Sequence, residues 1–445
     1  MTNQDIMQSL KDKDTRWVRI IWCDNANIIR GKAFHIHTLA DHLTDGIGIS
    51  VAQQAVPVMA DAVVPETGIS AVGEIWLRPD WGTLRFPPYA PGHACVIGDM
   101  YDGAQPWKLC PRHFLRRMIR RAAEFDLEIH LAFENEFYLL REGALGPESV
   151  DRTVFAEIAS FDINREVIDD ITDALLRQDI QPERYYPESG PGQQEITTTY
   201  QPAALAADRQ LTYRMTVRGV AARHGLKASF LPKIFPDTAG NGCHLHLSLW
   251  RNGLNILPDE ATPGELSATG RAFIAGLLAH LPALMAITTP SPNSYRRIRP
   301  HMWSGAFRAW GWDNREAAIR VPTNPKPPSP THLEFKTSDA SANPYLAVGA
   351  VIAAGLDGIR QGLDPGRPVM VDPADLSNQE QRTLGVDLLP TNLAEAVQRL
   401  SGDPVLREAL GPELADVFMA IRRAEWEVMK DVDIEQEVKL LLERY

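Results

Sequence analysis

The chain has 445 residues carrying 45 Lys and Arg against 57 Asp and Glu, a formal net charge of −12. That balance excludes a general polyanion binder, because phosphate backbones select excess Lys and Arg, yet it leaves room for a local basic pocket that takes one small anion. Hydrophobic residues at 44%, with only 31 Gly and 33 Pro, exclude a low-complexity chain and predict a globular protein with a large core.

At about 150 residues per domain, the length predicts two or three domains. Four scattered cysteines (Cys23, Cys95, Cys110 and Cys243) with no CxxC pattern predict free, buried thiols in a reducing compartment. The opening MTNQDIMQSLKDKD is polar, and no run of about 18 apolar residues follows, so a soluble cytoplasmic protein without a membrane span is expected.

In chain order, Arg16 to Ile29 alternates around a turn-rich Asp24-Asn25-Ala26-Asn27 centre and predicts a hairpin. Thr38 to Leu43 predicts a short helix capped by Thr38. The Pro-, Trp- and Gly-rich stretch from Glu74 to Gly98 predicts strands joined by tight turns. Pro111 suits the first turn of a helix that continues through Phe125. The boundary expected near residue 106 gives domains at 15–106 and 107–445. Beyond it, helices are expected over 162–178, 203–224, 264–286 and 344–361, and strands over 127–140, 193–198, 227–231, 244–249, 317–321 and 332–337. The segment 323–331 (TNPKPPSPT) predicts an extended loop. The last eighty residues read as mainly helical, with Trp426 to Tyr445 the longest run.

Glu134 and Glu136 stand two apart in the apolar strand 127–140, so both project from one face. Burying two adjacent carboxylates costs free energy unless a cation compensates, although an edge strand with its acidic face in water would also carry them. Glu188 and Glu195 follow in PESGPGQQEI, His244 and His246 share a face in GNGCHLHLSL, and Glu334 and Lys336 share one in LEFKTSDASANPYL. Five carboxylates and two histidines would suit two hard divalent ions, with oxygen-rich ligation favouring Mg²⁺ or Mn²⁺ over structural zinc. Arginines gather separately, at Arg296, Arg297 and Arg299 in NSYRRIRP and at Arg315 and Arg320 in NREAAIR. Divalent ions with converging arginines describe a phosphoryl-transfer site, while the absence of GxxxxGK[ST] and GxGxxG disfavours P-loop and Rossmann folds.

Taken together in this order, FENEF, PESGPGQQEI, GNGCHLHLSL, NSYRRIRP, NREAAIRVP and LEFKTSDASANPYL resemble the glutamine synthetase superfamily. The resemblance implies an α+β protein with an N-terminal β-grasp domain and a catalytic domain whose antiparallel sheet forms a funnel-shaped site. It implies ATP and two or more Mg²⁺ or Mn²⁺ ions per site, and a homo-oligomer of two stacked hexameric rings acting on small molecules, without nucleic acid or membrane partners. Carried over, one metal would be held by Glu136, Glu188 and Glu195, and the other by Glu134, His244 and Glu334. His246, Ser248 and Arg320 match nucleotide-contacting positions. Arg297 matches the arginine that holds the substrate α-carboxylate, and Arg315 the one facing the transferred phosphate. Gly240 falls in the substrate-binding block.

The departures bear on substrate. Ser50 stands where glutamine-forming members carry an ammonium-binding aspartate, and Trp303 where their flap carries a glutamate. An indole there could cover an apolar or aromatic amine, or make a cation–π contact. Ala239 replaces an asparagine that helps bind glutamate, Lys336 an arginine at the acceptor site, and Glu316 a small hydroxyl residue beside Arg315. These features resemble the branch that includes FluG-type domains and γ-glutamyl-amide ligases. The expected reaction is ATP-dependent joining of glutamate to an alkylamine, aromatic amine or polyamine through an acyl phosphate. Ordinary glutamine synthesis and a non-catalytic assembly or regulatory protein are the alternatives. No tyrosine stands at 388–391, so adenylylation control is not expected.

Overall fold

A computed structural model describes residues 2–144, 146–326 and 329–445. Pro327 and Pro328, within the expected 323–331 loop, lie outside the described residues.

The first sheet is built from β1 (Trp17–Cys23), β2 (Ile29–His35), β3 (Ile47–Ser50), β4 (Glu74–Arg85), β5 (His93–Asp102) and β6 (Gln105–Pro106), in the order β2-β1-β5-β4-β3 with β6 beside β5. The central β1 and β5 run parallel and the other neighbours antiparallel. The expected hairpin is present, and its DNAN centre shows why. Asp24 Oδ1 accepts the Ala26 and Ile28 N–H groups, and Asn27 takes the left-handed conformation (φ 62°) that Asn tolerates best among side-chain-bearing residues. The same turn is tied to the far half of the chain, because Asn27 Nδ2 donates to Ala340 O and Asn343 Nδ2 to Asp24 O.

The second sheet carries β7 (Glu128–Gly143), β8 (Gly146–Ser149), β9 (Pro182–Pro187), β10 (Gln193–Thr198), β11 (Gln201–Pro202), β12 (Lys227–Ser229), β13 (Cys243–Arg251), β14 (Leu254–Asn255), β15 (Phe307–Trp312), β16 (Ala317–Val321) and β17 (Leu333–Phe335). Its main path is β15-β16-β17-β13-β7-β10-β9, antiparallel as expected except for the parallel β15–β16 pair. The long strand β7 is central because its apolar residues face the core on one side while Glu134 and Glu136 share the other.

Helices pack around this sheet. Pro111 opens the helix Pro111–Ala123 at its first turn, where a missing N–H costs nothing. Helices Ala268–Thr288 and Pro344–Gln361 form the central buried pair. The first is long and apolar enough to cross a membrane, but it is buried in the core.

Several expectations need correction. Residues 38–43 form only a 3-10 turn, Leu39–His42, and the Thr38 hydroxyl donates back to His35 O instead of capping it. The final run is broken: one helix ends at Met429 and another, Ile434–Leu441, starts behind an Asp433 cap. The helix Asn3–Asp12, closed by a Thr2–Asp5 capping box, went unpredicted, as did β9 and β15. In β15 the sequence FRAWGW is buried on both faces, so it shows no alternation.

Candidate active site

Register on the second sheet gathers the polar residues onto one face. Glu136 of β7 pairs with Glu195 of β10, and Glu134 pairs with His244 of β13. His246 faces Glu334 of β17, which in turn faces Arg320 of β16. The two-residue spacing within each strand keeps all of these on the same side.

The contacts are close. His244 Nδ1 lies 2.8 Å from Glu134 Oε1 and 3.2 Å from Glu334 Oε1, while His246 Nε2 lies 2.8 Å from Glu134 Oε2. Lys336 Nζ donates to Glu334 Oε1 at 3.1 Å, and Arg320 Nε approaches Glu334 Oε2 at 2.6 Å as an ion pair without hydrogen-bond alignment. Glu136 Oε2 accepts the Gln193 side-chain amide and the Gly242 N–H, each at 3.0 Å. Glu188, in the loop after β9, accepts the Ser189 N–H.

The electrostatics divide the carboxylates into two sets. Burial raises Glu334, but Lys336 and the histidines overcome it and hold the group well below the carboxylate range. For Glu134, burial is likewise outweighed, by His246 and His244. Glu195 has no such cation: burial and then Glu134, Glu136 and Glu188 push it up to about 10. Burial and Glu136 push Glu188 up to about 7.

This chemistry fits bound divalent cations. Glu195 Oε2 and His244 Nε2 are buried without a hydrogen-bond partner. Gly242 leaves space beside His244 and Glu136, since a Cβ there would lie 2.6 Å from His244 Nε2 and 2.9 Å from Glu136 Oε1. Two sets of ligand atoms fall within 4.8 Å of one another: Glu134, Glu136 and His244, and Glu134, His246 and Glu334. These trios differ from the expected ones, because Glu134 belongs to both and His246, expected at the nucleotide, joins one.

Other expected residues border this face. Arg297 is buried, with Nη2 donating to Ser338 O, and Gly240 packs so tightly on it that a Cβ would lie 2.8 Å from Arg297 Cγ. Ser248 sits further along β13, accepting the Trp250 indole N–H at 2.8 Å. Arg315 lies in the turn before β16, its guanidinium 5.7 Å from the Trp303 ring centre. Trp303 is 54% exposed. Its loop ends at Gly305, where a Cβ would lie 3.3 Å from Lys336 Cβ, so the loop closes beside the carboxylate face. Ser50 is not brought to this face. It ends β3, the edge strand of the other sheet, and its hydroxyl accepts the Ala52 N–H.

Sequence reading missed three features. Gln193 is buried and its side chain links Glu136, Gly240 O and Asn241. Tyr186 faces Glu195 across β9 and β10. His130, Tyr200 and Trp250 stack beyond Ser248, with Trp250 5.1 Å from His130 and 6.1 Å from Tyr200. The first lay inside a quoted block; the stack joins residues up to 120 positions apart and carries no local signal.

The chain matches the glutamine synthetase N-terminal domain over residues 1–107 and the glutamine synthetase catalytic domain over residues 108–441. It therefore belongs to the glutamine synthetase family and is a ligase of that family. It is 34% identical to type-1 glutamine synthetase 1 of Dictyostelium discoideum, over 98% of this chain and 91% of that one. It is 37% identical to the γ-glutamylpolyamine synthetase GlnA3 of Streptomyces coelicolor, over 92% and 89%. Among solved structures, GmaS in complex with ADP superposes with a TM-score of 0.85 at 30% identity, covering 99% of each chain.

Proposed function

We propose that this chain is an ATP-dependent carboxylate–amine ligase that forms a γ-glutamyl amide from glutamate and an organic amine. The observation that carries the reading is Trp303. An exposed indole over Arg315, at a loop that closes beside Lys336, gives the entrance an apolar surface. Neither Ser50 nor Trp303 supplies the negative charge that would hold ammonium. The GlnA3 relative acts on polyamines by its name, which supports the same reading. The glutamine synthetases at similar identity favour a second one, in which ammonia is the acceptor.

Residues 15–106 and 107–445 act as two domains. On the face of the second sheet, Glu134, Glu136, Glu188, Glu195, His244 and Glu334 would hold two divalent ions. Such ions, when bound, offset the negative charge of a transferring phosphoryl group. Arg297 binds the α-carboxylate of glutamate, backed by the close Gly240. Arg315 faces the transferred phosphoryl group and stabilises charge that develops there. Lys336 offers a point charge at the acceptor side. Ser248, Arg320 and His246 line the nucleotide end. Attack of the γ-carboxylate on ATP releases ADP and gives an acyl phosphate, from which the amine displaces phosphate. Because Arg315 already occupies a face of the Trp303 ring, the indole favours amines with an apolar body over a bare ammonium ion. The working assembly is a homododecamer of two hexameric rings.

ADP release, measured at fixed ATP and glutamate across ammonium, alkylamines, aromatic amines and polyamines, tests the reading. An organic amine should give the highest kcat/KM; fastest turnover with ammonium would contradict it.

A further inference from the structure

Behind Trp303 stands a carboxylate that the proposed chemistry does not use. Glu316 is buried, and its Oε1 accepts the backbone N–H of Trp303 at 2.9 Å. Its own position is fixed: its N–H donates to Asn314 Oδ1, and Asn314 Nδ2 donates to Val369 O and Val371 O. The loop it grips is otherwise expensive to hold in shape. His301 and Trp303 both adopt left-handed backbone conformations (φ 60° and 52°), which side-chain-bearing residues rarely do. Two further ties close the loop at its ends. Ser304 Oγ accepts the Arg299 N–H and donates to Arg299 O, and His301 Nδ1 lies 2.9 Å from Asp372 Oδ2.

The geometry assigns Glu316 as a positioning residue for acceptor selection: by holding the main chain of Trp303, it fixes the indole over Arg315 at the mouth of the site. Glu316 and Arg315 are adjacent in sequence, so one turn presents both the anchor for the loop and the cation against which its indole rests. A small hydroxyl residue at position 316 would be too short to span this gap. Trp303 and Glu316 therefore act as a matched pair, the anchor being as much a part of the acceptor pocket as the ring. This rests on the amine-ligase reading for its consequence in catalysis, but the anchoring itself is independent of which amine is used.

The experiment compares Glu316→Gln and Glu316→Ala in the full-length protein. It measures hydrogen exchange of residues 299–305 and the KM for ATP, for glutamate and for whichever amine the wild type turns over best. Glutamine keeps the acceptor oxygen, so Glu316→Gln should hold exchange and amine KM within about twofold of wild type. Glu316→Ala should speed exchange of the loop and raise the amine KM by roughly tenfold, the cost of leaving the part-buried Trp303 N–H without its acceptor, with the KM values for ATP and glutamate unmoved. Unchanged loop exchange in Glu316→Ala would overturn the anchoring. Equal movement of all three KM values with a lowered Tm would also overturn it, since that pattern reports general destabilisation. If ammonium proves the best acceptor while exchange still responds as expected, the amine reading fails and the anchor stands.

Discussion

At the residue scale, spacing of two within a strand made much of the site visible in the sequence. Glu134 and Glu136, and His244 and His246, had to share a face, and the structure keeps them there. The division of labour was not visible. His246 meets Glu134 and Glu334 because β13 pairs with β7 on one side and β17 on the other, each in one particular register that no local pattern encodes. The link from Trp303 to Glu316 is likewise a loop contact thirteen residues apart. A separate residue-scale consequence concerns His280, which lies 2.6 Å from Asp403 Oδ2 and 3.1 Å from Asp357 Oδ2, one on each ring nitrogen. Burial lowers its pKa, but the two aspartates outweigh that and raise it in the folded protein. A raised folded-state value stabilises the fold fully below the unfolded value of about 6.5, and the contribution is lost as pH rises through the folded value. Denaturant unfolding of wild type should therefore show stability falling on the alkaline side of pH 6.5, and His280→Gln should flatten that slope. An equal slope in both proteins would show that His280 is not its source.

At the scale of elements, long amphipathic or apolar segments announced themselves. The helix Pro344–Gln361 and the strands β10 and β16 have the bounds expected from sequence, the helix opening behind a capping Asn343. Segments such as β15 did not, since burial on both faces erases alternation. How the two central helices approach each other was also hidden, although its cause lies in two glycines. A Cβ on Gly276 would lie 2.2 Å from Ala354 O, and one on Gly358 would lie 2.1 Å from Ala272 O. The backbones meet at these points, so the helices must separate to admit any side chain. Gly276→Val should cost about 2 kcal/mol or more of unfolding free energy, at the upper end of overpacking penalties. Denaturant unfolding checks this, and a cost under about 0.5 kcal/mol, typical of open surface sites, would mean that the approach is looser than described.

At the scale of the whole molecule, the first sheet is joined to two helices beyond it in the chain through a largely buried charge network. Arg112 donates to Asp208 at 2.8 and 2.7 Å, to Asp99 at 2.9 Å and to Asp80 at 2.8 Å, drawing carboxylates from β4, β5 and the helix Ala203–Arg223 onto one guanidinium. These three aspartates are unremarkable in sequence, being separated by up to 128 positions. Replacing Arg112 by Met would keep much of the volume and strand the carboxylates, at a cost of about 3–5 kcal/mol. The loss should appear in thermal or denaturant unfolding, and a cost below about 1 kcal/mol would show that Arg116, which also meets Asp80 and Asp99, suffices alone.

The organisation of the whole chain converges on the carboxylate face of the second sheet, which we expect to hold divalent cations. Anomalous diffraction from crystals grown with Mn²⁺ and ADP tests this expectation directly. Strong manganese peaks are expected among Glu134, Glu136, Glu188, Glu195, His244 and Glu334, at roughly 2.0–2.3 Å from their oxygen and nitrogen atoms. Bound nucleotide with no manganese between those side chains would contradict it.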